Sequence, residues 1–215
     1  MKNTIIALIT LISINCFSQK LVEFQIDKNV KITIPSNYKI EDTLLQKVIY
    51  VGISNGSIAI TKSQNKDTLT TVEDEDDLIQ YYAEFQKGTL EASKGTLRKQ
   101  EIITKQDLKI KRIYYDTRIN NAPYSVDNYV LFLENYTYAI QFIEPRAKII
   151  DKDFKNQKEK ILSSLSFQKN LTLQDQFNYH VEGSPGYKAG QISVDILVFL
   201  IIGFVIWLST RRSKK

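Results

Sequence analysis

Apolar and polar positions alternate at the start of the chain. Val22, Phe24 and Ile26 interleave with Glu23, Gln25 and Asp27, and Val30, Ile32 and Ile34 repeat the pattern. A period of two puts the apolar set on one face of a strand. Lys28 and Asn29 lie between the runs, so the segment predicts a hairpin with one buried face, ended by Pro35. A second hairpin is predicted over residues 47–61, turning at Ser54-Asn55-Gly56, and polar residues 62–72 read as a loop. The period then changes. Leu78, Ile79, Tyr82, Phe85 and Leu90 share one face of a helix opened by Glu73, Asp74, Glu75, Asp76 and Asp77, where carboxylates favour the positive end of the helix dipole. A calcium loop is the other reading of these acids, but its alternating ligands and glycine are missing. Residues 97–104, 108–118, 126–134 and 137–144 are rich in Ile, Val, Tyr and Phe and predict four strands. Asn120-Asn121-Ala122-Pro123 forms a loop and Asn135-Tyr136 a tight turn. Residues 129–133 are apolar on both faces, the mark of a covered central strand. Ile150, Phe154, Ile161 and Leu165 predict a second helix, with a short extended end at 165–167. This order predicts an α+β fold, an antiparallel β-sheet packed with helices.

The two ends follow a different pattern. Residues 5–14 are apolar except for Thr10 and Ser13, follow Lys2 and precede Ser18. That length suits a signal peptide over residues 1–18 rather than a membrane span. Cys16 raises a lipid-anchor alternative, which Asn15 in the preceding position fits poorly. At the other end, residues 196–208 (ILVFLIIGFVIWL) carry no polar side chain. With their flanks, residues 192–210 would reach about 28 Å at ~1.5 Å per residue, close to the hydrocarbon thickness of ~30 Å. They are expected to form a transmembrane helix. Asp195 would sit at the outer edge and Trp207 near the opposite interface, and Arg211, Arg212, Lys214 and Lys215 would form a basic cytoplasmic tail over 211–215. Residues 19–167 then form the extracytoplasmic domain. Residues 168–191, polar and holding Gly183, Pro185, Gly186 and Gly190, read as a tether.

Charge changes the picture less than its total suggests. The formal net charge is +5, but Lys2, Arg211, Arg212, Lys214 and Lys215 lie in the expected leader and tail. Without those five, 24 basic residues face 24 acidic ones. Nucleic-acid binders concentrate positive charge on the folded domain, so no nucleic-acid partner is expected. Cys16 is the single cysteine, which leaves the expected mature chain no disulfide, thiolate nucleophile or thiolate metal site.

The opening hairpin into ITIPSNYKI, the amphipathic helix before LRKQEIITKQDLKIKRIYYD, the paired strands NYVLFLENYTYAIQFI and the terminal KEKILSSLSF together resemble the PsbP/DcrB-like family over residues 21–167. The resemblance implies an α/β/α sandwich, a generally non-catalytic role and action through partners. It transfers no site residue, because none of these pieces is a catalytic motif.

Candidate chemistry is sparse. His180, the one histidine, falls in the expected tether without a carboxylate partner, so neither a catalytic triad nor a zinc site is built on it. Lys87-Gly88 and Lys94-Gly95 lack the flanks of a phosphate loop. Asp116, Asp127 and Glu134 could supply a carboxylate pair for glycoside hydrolysis, although strand carboxylates more often pair with neighbours such as Arg112 or Arg118. Twelve tyrosines, among them Tyr81, Tyr82, Tyr114, Tyr115, Tyr124, Tyr129, Tyr136 and Tyr138, read first as half-buried strand residues and second as a contact face. Asn55, Asn135 and Asn170 open glycosylation sequons, which matter only in a glycosylating host. The expectation is a non-catalytic interaction module without cofactor, metal or catalytic residues. It would be held in a bacterial inner membrane with its domain on the periplasmic or extracellular side, and it would meet an envelope protein partner. A small-molecule or lipid-binding envelope domain is the alternative, and a carboxylate hydrolase the third.

Overall fold

The computed structural model describes residues 20–42, 46–65, 69–146, 151–177, 179–182 and 190. The alternating runs fold as strands. β1 (Leu21–Gln25) and β2 (Val30–Pro35) pair antiparallel with Phe24 opposite Ile32. β3 (Lys39–Asp42), β4 (Gln46–Ile53), β5 (Gly56–Gln64), β7 (Thr96–Lys105), β8 (Leu108–Ile119), β9 (Ala122–Leu133) and β10 (Tyr136–Pro145) form one antiparallel sheet in the order β3-β4-β5-β10-β9-β8-β7. The doubly apolar β9 is an interior strand of it. The expected loop at 62–72 is shorter than its polarity suggests. β5 runs on to Gln64, and β6 (Leu69–Val72) pairs with β12 (Tyr179–Glu182). β3 was not foreseen, because its short polar run KIED carries no apolar alternation.

The long hairpins turn on residue pairs with positive φ: Gln106-Asp107, Asn120-Asn121 and Glu134-Asn135. Two-residue turns of this kind match the twist of the strands they join. Ala122 and Pro123 therefore belong to β9, and the last turn sits one residue earlier than Asn135-Tyr136.

One helix covers each face. α1 (Glu75–Ser93) begins at Asp74, whose carboxylate accepts from the Asp77 N–H at 3.0 Å, and the Glu73 N–H returns a bond to Asp77. Glu75 pairs with Lys109. Asp74, Glu75 and Asp77 thus serve the start of the helix and its attachment to β8. Leu78, Tyr81, Tyr82 and Phe85 pack from α1 onto Ile113, Val126, Val130 and Phe132. The opposite face carries the β1–β2 hairpin, α2 (Lys152–Ser164) and the short β11 (Ser166–Phe167), whose Phe24, Ile32, Phe154, Ile161 and Phe167 meet Ile60, Leu131, Ile140 and Phe142. Among the described residues the fold is α+β, with antiparallel sheets and two α-helices. Tyr81, Tyr82, Tyr115 and Tyr138 are core residues, which removes four of the tyrosines from any contact face.

The domain does not stop at residue 167. Leu173–Gln176 form a 3-10 turn, Gln176 is wholly buried, and Phe177 joins the α1-side core. Gly190 is also buried against α1. The described part of the expected 168–191 tether is therefore packed on the domain, because single buried anchors such as Gln176 lie inside a polar run that composition alone reads as linker. Among the described residues no helix is long and apolar enough to cross a membrane. The expected span 192–210, with Asp195, Trp207, Arg211, Arg212, Lys214 and Lys215, lies outside them, as does the expected leader 1–18.

Asn128 and Gln141 stand opposite each other on β9 and β10, fully buried, and neither side-chain amide has a hydrogen-bond partner. Unmet amides are costly, and replacing both partners with apolar groups of similar shape can stabilise. The double variant Asn128→Leu/Gln141→Met is expected to match or exceed the parent in stability by urea unfolding. A loss above about 2 kcal/mol, the scale of a lost buried hydrogen-bonding group, would refute this reading.

Candidate basic cleft

The candidate carboxylates Asp116 and Asp127, on strands, and Glu134, in the turn after β9, each form ion pairs. Glu134 accepts from Asn29 at 2.7 Å and pairs with Lys28. Asp127 is 3% exposed, receives Nε and Nη2 of Arg112 at 2.8 Å each, and also takes Lys158 at 2.8 Å and the Tyr129 hydroxyl at 3.2 Å. Burial pushes the Asp127 carboxyl upward. The hydrogen bond from Arg112 and the charge of Lys158 outweigh burial and hold it below its ordinary value. The bidentate pair links β8 to β9, and Lys158 ties α2 to the sheet through the same carboxylate. Beside it Glu144 lines a cavity of about 360 Å³ with Tyr129, Lys155 and Lys158, and burial holds its carboxyl above the usual range.

Asp116 builds a different site. The register of β7 against β8 slips between Leu97 and Lys99, so Arg98 is the extra residue of a bulge. Bulges re-aim side chains, and Arg98 Nε donates to Asp116 Oδ2 at 2.6 Å. Arg146 follows β10, where its N–H bonds to the Pro123 carbonyl at 2.9 Å, and its guanidinium reaches the same Asp116 oxygen at 3.0 Å. Ser125 donates to the other oxygen at 2.8 Å. Burial raises the Asp116 carboxyl, but the bonds from Ser125 and Arg98 and the charge of Arg146 prevail and hold it below its ordinary value. It is therefore ionised at neutral pH and a poor proton donor or base.

Around this triad lies a cleft of about 670 Å³ at the end of the sheet, not between sheet and helix. The end of α1 supplies Ser93 and Lys94, the start of β7 supplies Thr96 and Arg98, and β8 with its turn supplies Thr117, Arg118, Asn120 and Asn121. Four cations, Lys94, Arg98, Arg118 and Arg146, thus line the cleft with one carboxylate, Asp116. Lys94 and Arg118 are exposed. The composition gave no sign of this, because the positive residues are scattered over the chain and balanced elsewhere. The one local hint was the Lys94-Gly95 break after the helix. Among the described residues no group of three or more His, Cys, Asp or Glu could hold a metal ion. His180 enters β12 through its backbone, opposite Thr71.

No protein-family model matches the chain, and no curated protein matches it. Similar solved structures are distant. LpqN of Mycobacterium tuberculosis, involved in cell envelope biogenesis, is 9% identical with a TM-score of 0.44 over 75% of this chain and 96% of that one. PA94 of Pseudomonas aeruginosa, a protein of unknown function, is 10% identical with a TM-score of 0.40 over 71% and 96%. A structure from Bacteroides thetaiotaomicron is 14% identical with a TM-score of 0.36, and the match covers 66% of this chain but only 46% of that one.

Proposed function

We propose that this chain is a non-catalytic binding module of the bacterial envelope that captures an anionic ligand in the basic cleft. In this reading residues 192–210 anchor it in the inner membrane, and the folded domain lies outside the cytoplasm. The cleft carries the proposal, because it lines one site with four cations and one carboxylate in a chain whose residues 3–210 are formally neutral as a whole. Asp116 supports binding over acid–base chemistry, since two guanidiniums hold it ionised. Each guanidinium keeps N–H donors that Asp116 does not use. We also assign the domain to the PsbP/DcrB-like family. The layered order supports this, with α1 on one face of the sheet and α2 with the β1–β2 hairpin on the other.

Two charges can be removed without disturbing the Asp116 pairs. The variant Lys94→Gln/Arg118→Gln is expected to lower the affinity of the full chain for pyrophosphate at least about tenfold, the equivalent of ~1.4 kcal/mol, in calorimetric titration at low salt. Unchanged affinity would remove the cleft as the ligand site. The anchoring is tested separately on spheroplasts. External protease should digest the domain and leave a tag at the C-terminus protected, and a protected domain would overturn the orientation.

A further inference from the structure

Gly190 is seated directly on α1. A Cβ placed there would lie 2.2 Å from the Phe85 carbonyl oxygen and 2.7 Å from the Thr89 nitrogen, so only glycine lets the backbones approach this closely. Thr89 Oγ1 donates to the Gly190 carbonyl at 3.5 Å. The expected membrane span begins at Ile192, two residues further on. Two residues of chain reach at most about 7 Å, so in that reading the span starts within this distance of the seat on α1.

The basic cleft lies next to that seat. Ser93 is one helical turn beyond Thr89, about 6 Å along the axis. Its hydroxyl donates to the Thr89 carbonyl at 2.7 Å, and its own carbonyl accepts from Thr117 Oγ1 at 2.6 Å. Ser93 and Thr117 both line the cleft. A short chain of hydrogen bonds thus joins the Gly190 seat to the cationic cleft. The interfacial layer on each side of the hydrocarbon is roughly 5–8 Å deep, the same scale as the separation of Thr89 and Ser93 along α1.

We infer that the cleft holds the phosphate of an anionic phospholipid headgroup from the membrane in which the chain is anchored. The inference rests on the reading of residues 192–210 as a span. The bidentate guanidinium fork suits phosphate geometry, and Asp116 presents Arg98 and Arg146 side by side. Lys94 and Arg118 add charge at the rim, where basic residues close to an anionic surface are attracted to it. A free phosphate ester offers the same chemistry, and only the seat of Gly190 selects the lipid source.

The test uses the full chain in nanodiscs of phosphatidylcholine with or without phosphatidylglycerol, read by hydrogen exchange of residues 92–98 and 117–121. Phosphatidylglycerol is expected to slow exchange there at least about fivefold, and Lys94→Gln/Arg118→Gln should abolish the effect. Gly190→Val should also abolish it while leaving pyrophosphate binding in detergent intact. Equal protection by free inorganic phosphate in pure phosphatidylcholine discs would overturn the lipid source. So would an identical exchange pattern in both discs. Release of the chain from membranes by alkaline carbonate would defeat the span reading and this inference together. Retention without a phosphatidylglycerol effect would defeat this inference alone.

Discussion

Alanine at position 127 is expected to destabilise the domain by about 3–5 kcal/mol, the cost of removing one partner from a buried ion pair. Asp127 is 3% exposed, and its removal strips Arg112 of a bidentate partner and Lys158 of its carboxylate. Arg112 would retain Glu101, whose carboxylate it meets at 2.6 Å, while Lys158 would lose its ion pair with Asp127. The loss should show as a lower urea midpoint with an unchanged slope. A change below 1 kcal/mol would mean that the cluster relaxes into water. Acid should act through the same group. The folded carboxyl lies below its ordinary value, so its stabilisation is fully present above an unfolded pKa of about 3.9. It is lost as pH falls through the lower folded value. Asp27, held low by Lys62 and Tyr138 against burial, and Asp116 add in the same sense. Glu144 opposes them, because its raised carboxyl penalises the ionised folded state and is relieved on protonation. Acid unfolding below about pH 4 is the expected balance, and Asp127→Asn should flatten that limb.

Gln176→Ala is expected to cost about 3 kcal/mol. Gln176 accepts from the Lys109 N–H at 2.7 Å and donates to the Phe132 carbonyl at 2.8 Å and the Lys109 carbonyl at 3.0 Å. Truncation removes all three bonds from a buried site and leaves the Lys109 N–H without this acceptor, where an unmet buried group costs about 1–3 kcal/mol. Tyr82 limits the damage, because its hydroxyl also donates to the Lys109 carbonyl at 2.7 Å. Urea unfolding of the full chain measures the loss. A fragment ending at Phe167 should be less stable still, since it lacks Phe177 as well. Stability equal to the parent in both would show that residues 168–177 decorate the domain without supporting it.

Local order was legible in the chain. The period of two in Val22–Ile26 and Val30–Ile34, the period near 3.6 in Leu78–Phe85, and the capping acids at 73–77 concern neighbours within a few residues. Side-chain direction and the dihedral preferences of turns act at that range. Both hairpins, both helices and the four long strands followed from them, to within a few residues at their ends. Misplaced detail also had local causes. The Glu134-Asn135 turn needs two positive φ angles, which Glu disfavours, and Gln176 looks like any other polar residue of a linker until its partners are known.

Local pattern alone therefore specifies the long hairpins, the two described helices and the α+β class. Which strands meet is set by folding over long range. β10 pairs with β5, more than seventy residues earlier, and this closes the sheet through contacts that no local period encodes. The cleft arises in the same way. The bulge at Arg98 and the Arg146–Pro123 bond bring two guanidiniums to Asp116 from residues 98 and 146, while helix termination at Lys94 and the β8 turn bring the other cations. A charge balance computed along the chain cancels these residues against distant carboxylates, whereas an electrostatic field depends on distance in space, and folding sets that distance.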